Sequence, residues 1–475
     1  MAASSLSQDE LFALNRQRPA VSLFPELLVH IFTLTVRSWA GAPFPHQFGP
    51  HSAKFIRKTR FTLAAVCTRW REVVLSTQSL WNVIMISIGE NVGFDSDHLL
   101  TKELGRSGDS LLSLLVTEPF GFPRSIPPEV IARKKAVADT ARQMLPRCKN
   151  IIIHSDQVLI ARMLSPSNDM PASNLQSLSI SSRFNHLSPD INLIDLTSAV
   201  GLRDLRLNFN GGEHPIRLNI SPQAALHCLD VSAPIASQDI VDMVARSHSL
   251  EEFTWYTLEA SRSELFQTPL PSMPYLVNLV LYGQLPLSML PSFRAPQLMI
   301  LEIMYRGPDD DKAPTIPFPK LASISFPGLR VLYVDGHRRM VRKYEPSLVS
   351  FLKAHPTLQV VSLPEHTTEP LADAISNMPC LSFLVTSDDK EDGIHAMPLI
   401  RRWYAKSIAI QGWRSPILRI EGVYYPNLWE VKELKKNPGL LEFAQKIVVD
   451  TIFWQRGGPT YWDAFLSGME SQGAR

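Results

Sequence analysis

The sequence predicts an α/β chain: a small N-terminal helical module followed by an irregular solenoid of short strands, each with a return segment. Two patterns predict this. Apolar residues in 22–36 and 61–76 recur with the helical period, and beyond residue 150 an LxxLxL-like pattern recurs every 22 to 31 residues. A third observation concerns the connections: 37 prolines against 22 glycines point to many defined turns.

Residues 1–20 are small and polar and read as a flexible lead-in. The module spans 21–86. Its first segment, SLFPELLVHIFTLTV (22–36), reads as a helix. Ser22 stands where a cap is wanted, Pro25 costs no hydrogen bond in the first turn, and Glu26 suits the positive helix end. Phe24, Leu27, Leu28, Ile31, Phe32 and Leu34 are its apolar set. Glycine and proline clusters make 38–60 an inserted loop. The helical pattern resumes over 61–76 through Leu63, Val66, Cys67, Trp70, Val73 and Val74, with a break placed at Thr68. The chain then turns extended at Val83, Ile84 and Ile86. A module this short is marginal alone. Its large apolar side chains require either the rest of the chain or a partner.

Residues 87–148 read as a linker or capping region, ending in a proline-started helix over 127–145. The solenoid spans 149–399. Its anchors are Leu175-Leu178-Ile180, Leu202-Leu205-Leu207, Leu226-Leu229-Val231, Leu250-Phe253 and Leu276-Leu279-Leu281. They continue as Leu298-Leu301-Ile303, Leu329-Leu332-Val334, Leu358-Val361-Leu363 and Leu381-Leu384. Such spacing is leucine-rich-repeat-like: a short strand sends alternate side chains into one core, and a helix or loop returns the chain. Helical returns are expected in SQDIVDMVARSHSLEEF, YEPSLVSFLKAHPTLQVV and TEPLADAISNMPCLSFL. The asparagine that often follows LxL is mostly missing, so the array is irregular. Residues 400–475 read as a C-terminal cap, with strand-like runs in 400–426, one or two helices in 431–450 and an aromatic end.

Composition narrows the function. A net charge of +2, from 47 basic and 45 acidic residues, gives no general attraction to nucleic acid or anionic lipid. Four scattered cysteines make neither a disulfide scaffold nor a zinc-ligand spacing. No run approaches 18 apolar residues, and the N-terminus lacks the basic start and apolar core of a signal peptide. A soluble protein of the cytoplasm or nucleus is expected.

Residues 22–84 carry a resemblance. LFPELLVHIF (23–32), VCTRWR (66–71) and LSTQSLW (75–81) resemble, in that order, the LPxELLxxIF start, the VCxxWR element and the close of the F-box family. The run AAVCTRWREVVLSTQSLWNVI is especially similar to F-box proteins common in mushroom-forming fungi, where an insertion such as 38–60 is also familiar. The resemblance implies that the module binds the Skp-type adaptor of a cullin–RING ubiquitin ligase while the repeats hold a protein substrate. It also implies a docking surface of Leu23, Phe24, Pro25, Leu27, Leu28 and Ile31. Val66, Cys67, Trp70 and Leu80 would complete that surface or its supporting core. In the ungapped match Phe24 stands where the family's proline usually is. A shift of one residue would instead let Phe24-Pro25 stand in for Leu-Pro.

Such a protein is a non-catalytic ligase subunit, with no cofactor, metal or nucleic acid expected. The sequence contains no GxxxxGK, GxGxxG, HExxH or GxSxG. HCLD (227–230) has the letters of a thiol–imidazole pair, but neighbours on a strand point to opposite faces. The basic run with Arg338, Arg339, Arg342 and Lys343 follows a predicted strand, which places it on a loop or rim suited to an acidic or phosphorylated partner. SDDKED (387–392) reads as a solvated turn and IRRWY (400–404) as a weaker surface patch. The alternative function is a repeat scaffold that binds proteins without ligase work.

Overall fold

The computed structural model describes residues 23–39, 50–87, 95–118, 128–155, 157–164, 171–182, 193–209, 216–233, 235, 237–257, 272–283, 290, 293–304, 324–335, 338–363, 368–387, 397–421, 434 and 436–448. The chain is mixed α/β and divides into two compact units, 1–226 with 233–243, and 227–232 with 244–475.

The first unit opens with helices α1 (Pro25–Trp39), α2 (Pro50–Val66) and α3 (Thr68–Ser76), then a 3₁₀ turn over Gln78–Trp81. Strand β1 (Val83–Ser87), α4 (Asp95–Ser107), β2 (Leu112–Thr117), α5 (Pro128–Met144), β3 (Cys148–His154), α6 (Gln157–Leu164) and β4 (Ser177–Ser182) follow. Next are β5 (Leu193–Leu196), β6 (Asp204–Phe209) and β7 (Arg217–Ile220). Strands β1, β2, β3, β4 and β6 form a parallel sheet, while β5 and β7 pair separately. One row of facing residues, Ile84, Leu114, Ile151, Leu178 and Leu205, is at most 2% exposed.

The second unit begins with β8 (Cys228–Ser232). The sequence passes between units within α7 (Ser237–Arg246). Then come β9 (Glu252–Tyr256), β10 (Asn278–Tyr282), β11 (Ile300–Met304), β12 (Val331–Asp335), α8 (Arg338–Ala354), β13 (Val360–Leu363), α9 (Glu369–Ser376), β14 (Phe383–Ser387), α10 (Met397–Ala409), β15 (Ile417–Glu421) and α11 (Pro438–Ile447). Strands β8 to β15 pair in chain order, all parallel. Leu229, Phe253, Leu279, Leu301, Leu332, Val361, Leu384 and Leu418 face one another along the sheet, none more than 1% exposed.

Every repeat anchor read from the sequence falls on or just before one of these strands and is buried. The three named returns are helical, as α7, α8 and α9. At Gly283 φ is +98°, and an added Cβ would lie 2.2 Å from the Thr257 carbonyl oxygen, so only glycine fits the end of β10.

Four expectations are corrected. Residues 50–60 of the expected loop 38–60 are helical, because past Pro50 the segment HSAKFIRKTRFTLAAV contains no glycine or proline to break α2. Region 87–148 is no linker: β2 pairs with both β1 and β3. The strands that flank it, β1 and β3, keep the repeat spacing with apolar residues other than leucine, Trp81-Ile84-Ile86 and Cys148-Ile151-Ile153, all buried. Residues 400–409 are helical, not strand-like, with Ile400 and Trp403 wholly buried and Arg402 bonded to Glu369 and Asp373. The strand of that region comes later, as β15, and pairs with β14 like any other repeat. Finally, Arg338, Arg339, Arg342 and Lys343 lie in α8 rather than on a loop, since RRMVRKY offers uninterrupted helix formers. Their side chains, together with Ser22, the lead-in 1–20, 388–392 and the aromatic end beyond 448, lie outside the described residues.

His355 ties the end of α8 back to the turn that precedes β12. The Phe326 N–H donates to its Nε2 at 2.9 Å, so Nδ1 carries the proton and donates to the Phe351 carbonyl at 2.7 Å. Burial pulls the imidazole below its ordinary value, against the smaller upward pull of the Phe351 bond. Protonation would turn Nε2 into a donor facing a donor. A depressed histidine makes the unfolded chain bind more protons, so its contribution is complete above about pH 6.5 and is lost as pH falls toward the lowered folded value. Urea midpoints at pH 7.5 and 5.5 are expected to differ for wild type and to lose that histidine-dependent difference in His355→Asn; an unchanged difference would assign the pH effect elsewhere.

Candidate functional site

Helix α1 is apolar on two faces. Leu28, Phe32 and Val36, spaced four apart, are buried with Ile56, Ala64, Val73, Val74, Leu80 and Trp81. This cluster extends to Met85, Leu115 and Ile152, a row of facing residues on β1, β2 and β3. The helices therefore cover one side of the first sheet. The adjoining side of α1, with Phe24 just ahead of the helix, carries Phe24, Leu27, Ile31 and Leu34, at spacings of three, four and three. These are 72%, 48%, 42% and 53% exposed. A stripe of large apolar side chains left in water is the mark of an unfilled interface.

The VCTRWR element holds this face in place. Cys67 caps α3, its sulfur accepting from the Trp70 N–H at 3.4 Å. That puts the helix break one residue before Thr68. Arg69 donates to the Leu23 carbonyl at 2.6 Å, which fixes the chain entering α1. The Trp70 ring meets Phe32 edge-on at 4.9 Å between centroids. Arg71 donates to the Ala64 carbonyl at 3.0 Å and joins α3 to the end of α2. The motif thus acts mainly by positioning α1 against α2 and α3.

Beneath lies a charged cluster. Glu103 of α4 accepts from Arg57 Nε at 2.9 Å and Nη2 at 2.7 Å, and Arg60 Nη1 lies 4.0 Å from it. Arg60 is 1% exposed, and burial brings its pKa down to about 10 despite the opposing pull of Glu103. Its guanidinium lies 5.4 Å from the Trp81 ring, and that of Arg106 lies 4.5 Å away. Trp81, wholly buried, donates to the Val74 carbonyl at 2.7 Å and so joins α3 to the start of β1.

The structure sorts the implied docking residues into three groups. Phe24, Pro25, Leu27, Ile31 and Val66 are exposed. Leu23, Cys67 and Trp70 are half-buried. Leu28 and Leu80, at 0% and 2%, are core residues and present no surface, because α1 turns Leu28 toward β1–β3. Leu34 was missed although it completes the spacing of Phe24, Leu27 and Ile31. Phe55 and Phe61, 38% and 42% exposed, were missed because their segment read as loop or core.

The other motifs fall elsewhere. Cys228 of HCLD is buried in β8, while His227 Nδ1 lies 3.0 Å from Glu251 Oε1. Burial pushes the Cys148 thiol up to about 12. Among the described residues no group of three His, Cys, Asp or Glu is placed to hold a metal ion, and no helix is long and apolar enough to cross a membrane. Compared with protein-family models and with curated proteins, the chain matches none.

Proposed function

We propose that this chain is the substrate-recognition subunit of an SCF-type (Skp–cullin–F-box) ubiquitin ligase. In this reading α1, α2 and α3 are the F-box, and the strand-and-return units form a leucine-rich-repeat-like solenoid that holds a protein target. The observation that carries the reading is the second apolar face of α1, at the positions where the sequence resembles the adaptor-binding segment of that family. Burying about 800 Å² on each side makes an ordinary stable interface, and the exposed Phe24, Leu27 and Ile31 are large apolar side chains that such burial would take out of water. The mechanism is proximity: one end is tethered to the ligase core, the other concentrates the target near the charged enzyme.

Co-expression with a Skp-type adaptor tests this. A stoichiometric complex that survives gel filtration is expected. Failure of the well-folded chain to form it would leave the alternative, a repeat scaffold without ligase work.

A further inference from the structure

Among the described residues β1 pairs with β2 alone, so its other side is the free edge of that sheet. The Ser113 N–H of β2 donates to the Asn82 carbonyl at 2.7 Å. By the alternation of a strand, Ile84 and Ile86 also bond toward β2, while Val83 and Met85 turn their carbonyls outward. Helix α2 takes both outward carbonyls. Arg60 Nη1 donates to that of Val83 and Arg57 Nη2 to that of Met85, each at 3.1 Å. The arginines stand one turn apart on α2 and the carbonyls two residues apart on β1, with the helix running opposite to the strand. Glu103 of α4 holds Arg57 in this position through its two bonds.

A free strand edge invites another strand, most readily where the edge strand is apolar and uncharged. Strand β1 reads VIMIS, and no charged residue occurs between Glu72 and Glu90. It therefore carries no charge of its own to deter a neighbour. The arginines supply that charge from another element. A strand arriving at this edge would have to displace two guanidiniums, one of them only 1% exposed. We infer that residues 50–60, which lie outside the three motifs of the resemblance, are an edge cap: Arg57 and Arg60 hold β1 shut against the β1 strand of a second copy of this chain. Side-chain donors end the sheet where a further strand would extend it. The cap has this task whatever α1 binds.

The test uncovers the edge without stranding a buried charge. Arg57→Leu, Arg60→Met and Glu103→Leu are combined in the full chain, which removes both cations together with their carboxylate. The probe is a labelled, end-blocked peptide carrying the β1 sequence, Lys-Lys-Val-Ile-Met-Ile-Ser-Lys-Lys. A triple variant with wild-type circular dichroism is expected to bind it at least about tenfold more tightly than wild type does. The same peptide with its five central amides N-methylated cannot form the ladder, and the gain is expected to vanish. Equal binding by wild type and variant, or an undiminished gain with the methylated peptide, overturns the inference. Should the triple variant fail to fold, Arg57→Ala decides. That side chain is 27% exposed, and its loss frees the Met85 carbonyl while leaving Arg60 beside Glu103. A gain of about threefold is expected there, and no gain overturns the inference.

Discussion

Replacing Phe24, Leu27 and Ile31 together with alanine is expected to weaken capture of a Skp-type adaptor by at least about a hundredfold while leaving the melting temperature close to wild type. All three are exposed, so their removal costs the fold little. Each buried anchor of an interface contributes about 2 kcal/mol when it is a hot spot, so the loss of even two suffices for the stated effect. Leu28→Ala is the control with the opposite profile. Leu28 sits one residue from Leu27 but is wholly buried against Phe32 and its neighbours. Its truncation is expected to cost about 2–5 kcal/mol of stability, with capture reduced only as far as the module unfolds. Full capture by the triple variant would move the docking face away from α1.

Glu103→Gln is expected to destabilise the first unit by about 3 kcal/mol, read as a lower urea midpoint. The carboxylate is wholly buried and holds Arg57 through two bonds, with Arg60 beside it. Arg60 has one further bond, from Nη1 to the Val83 carbonyl at 3.1 Å, and its Nε and Nη2 meet no acceptor among the described residues. Removing the carboxylate strands a buried cation beneath the module. The double change Glu103→Leu with Arg60→Met is expected to cost less than Glu103→Gln alone, because it removes the desolvated charge along with its partner. An unchanged midpoint in Glu103→Gln would mean that water, not Glu103, supports Arg60.

These two expectations differ in how far the sequence reaches them. The strands were legible because LxxLxL is local: Leu178 and Ile180, or Leu301 and Ile303, mark a strand with no knowledge of its neighbours. The same rule failed for β15, where the residue three ahead of Leu418 is the polar Ser415. The α2 helix was hidden by the Gly-Pro cluster before it, which draws attention to a break and away from the helix formers that follow. The Glu103 cluster was out of reach, since Arg57 and Glu103 are 46 residues apart and no local pattern joins them.

The sequence by itself determined the small helical module at the start, the proline entry of α1, the positions of nine strands and the helical nature of three of their returns. Each of these follows from short-range spacing of apolar side chains. Only the tertiary structure decided which apolar residues of α1 face the core. Leu27 and Leu28 are chemically the same, and periodicity shows merely that they lie on adjoining faces. The buried row Met85, Leu115 and Ile152 settles it: one side of α1 joins that row with Leu28 and Phe32, and the side left in water carries Phe24, Leu27, Ile31 and Leu34.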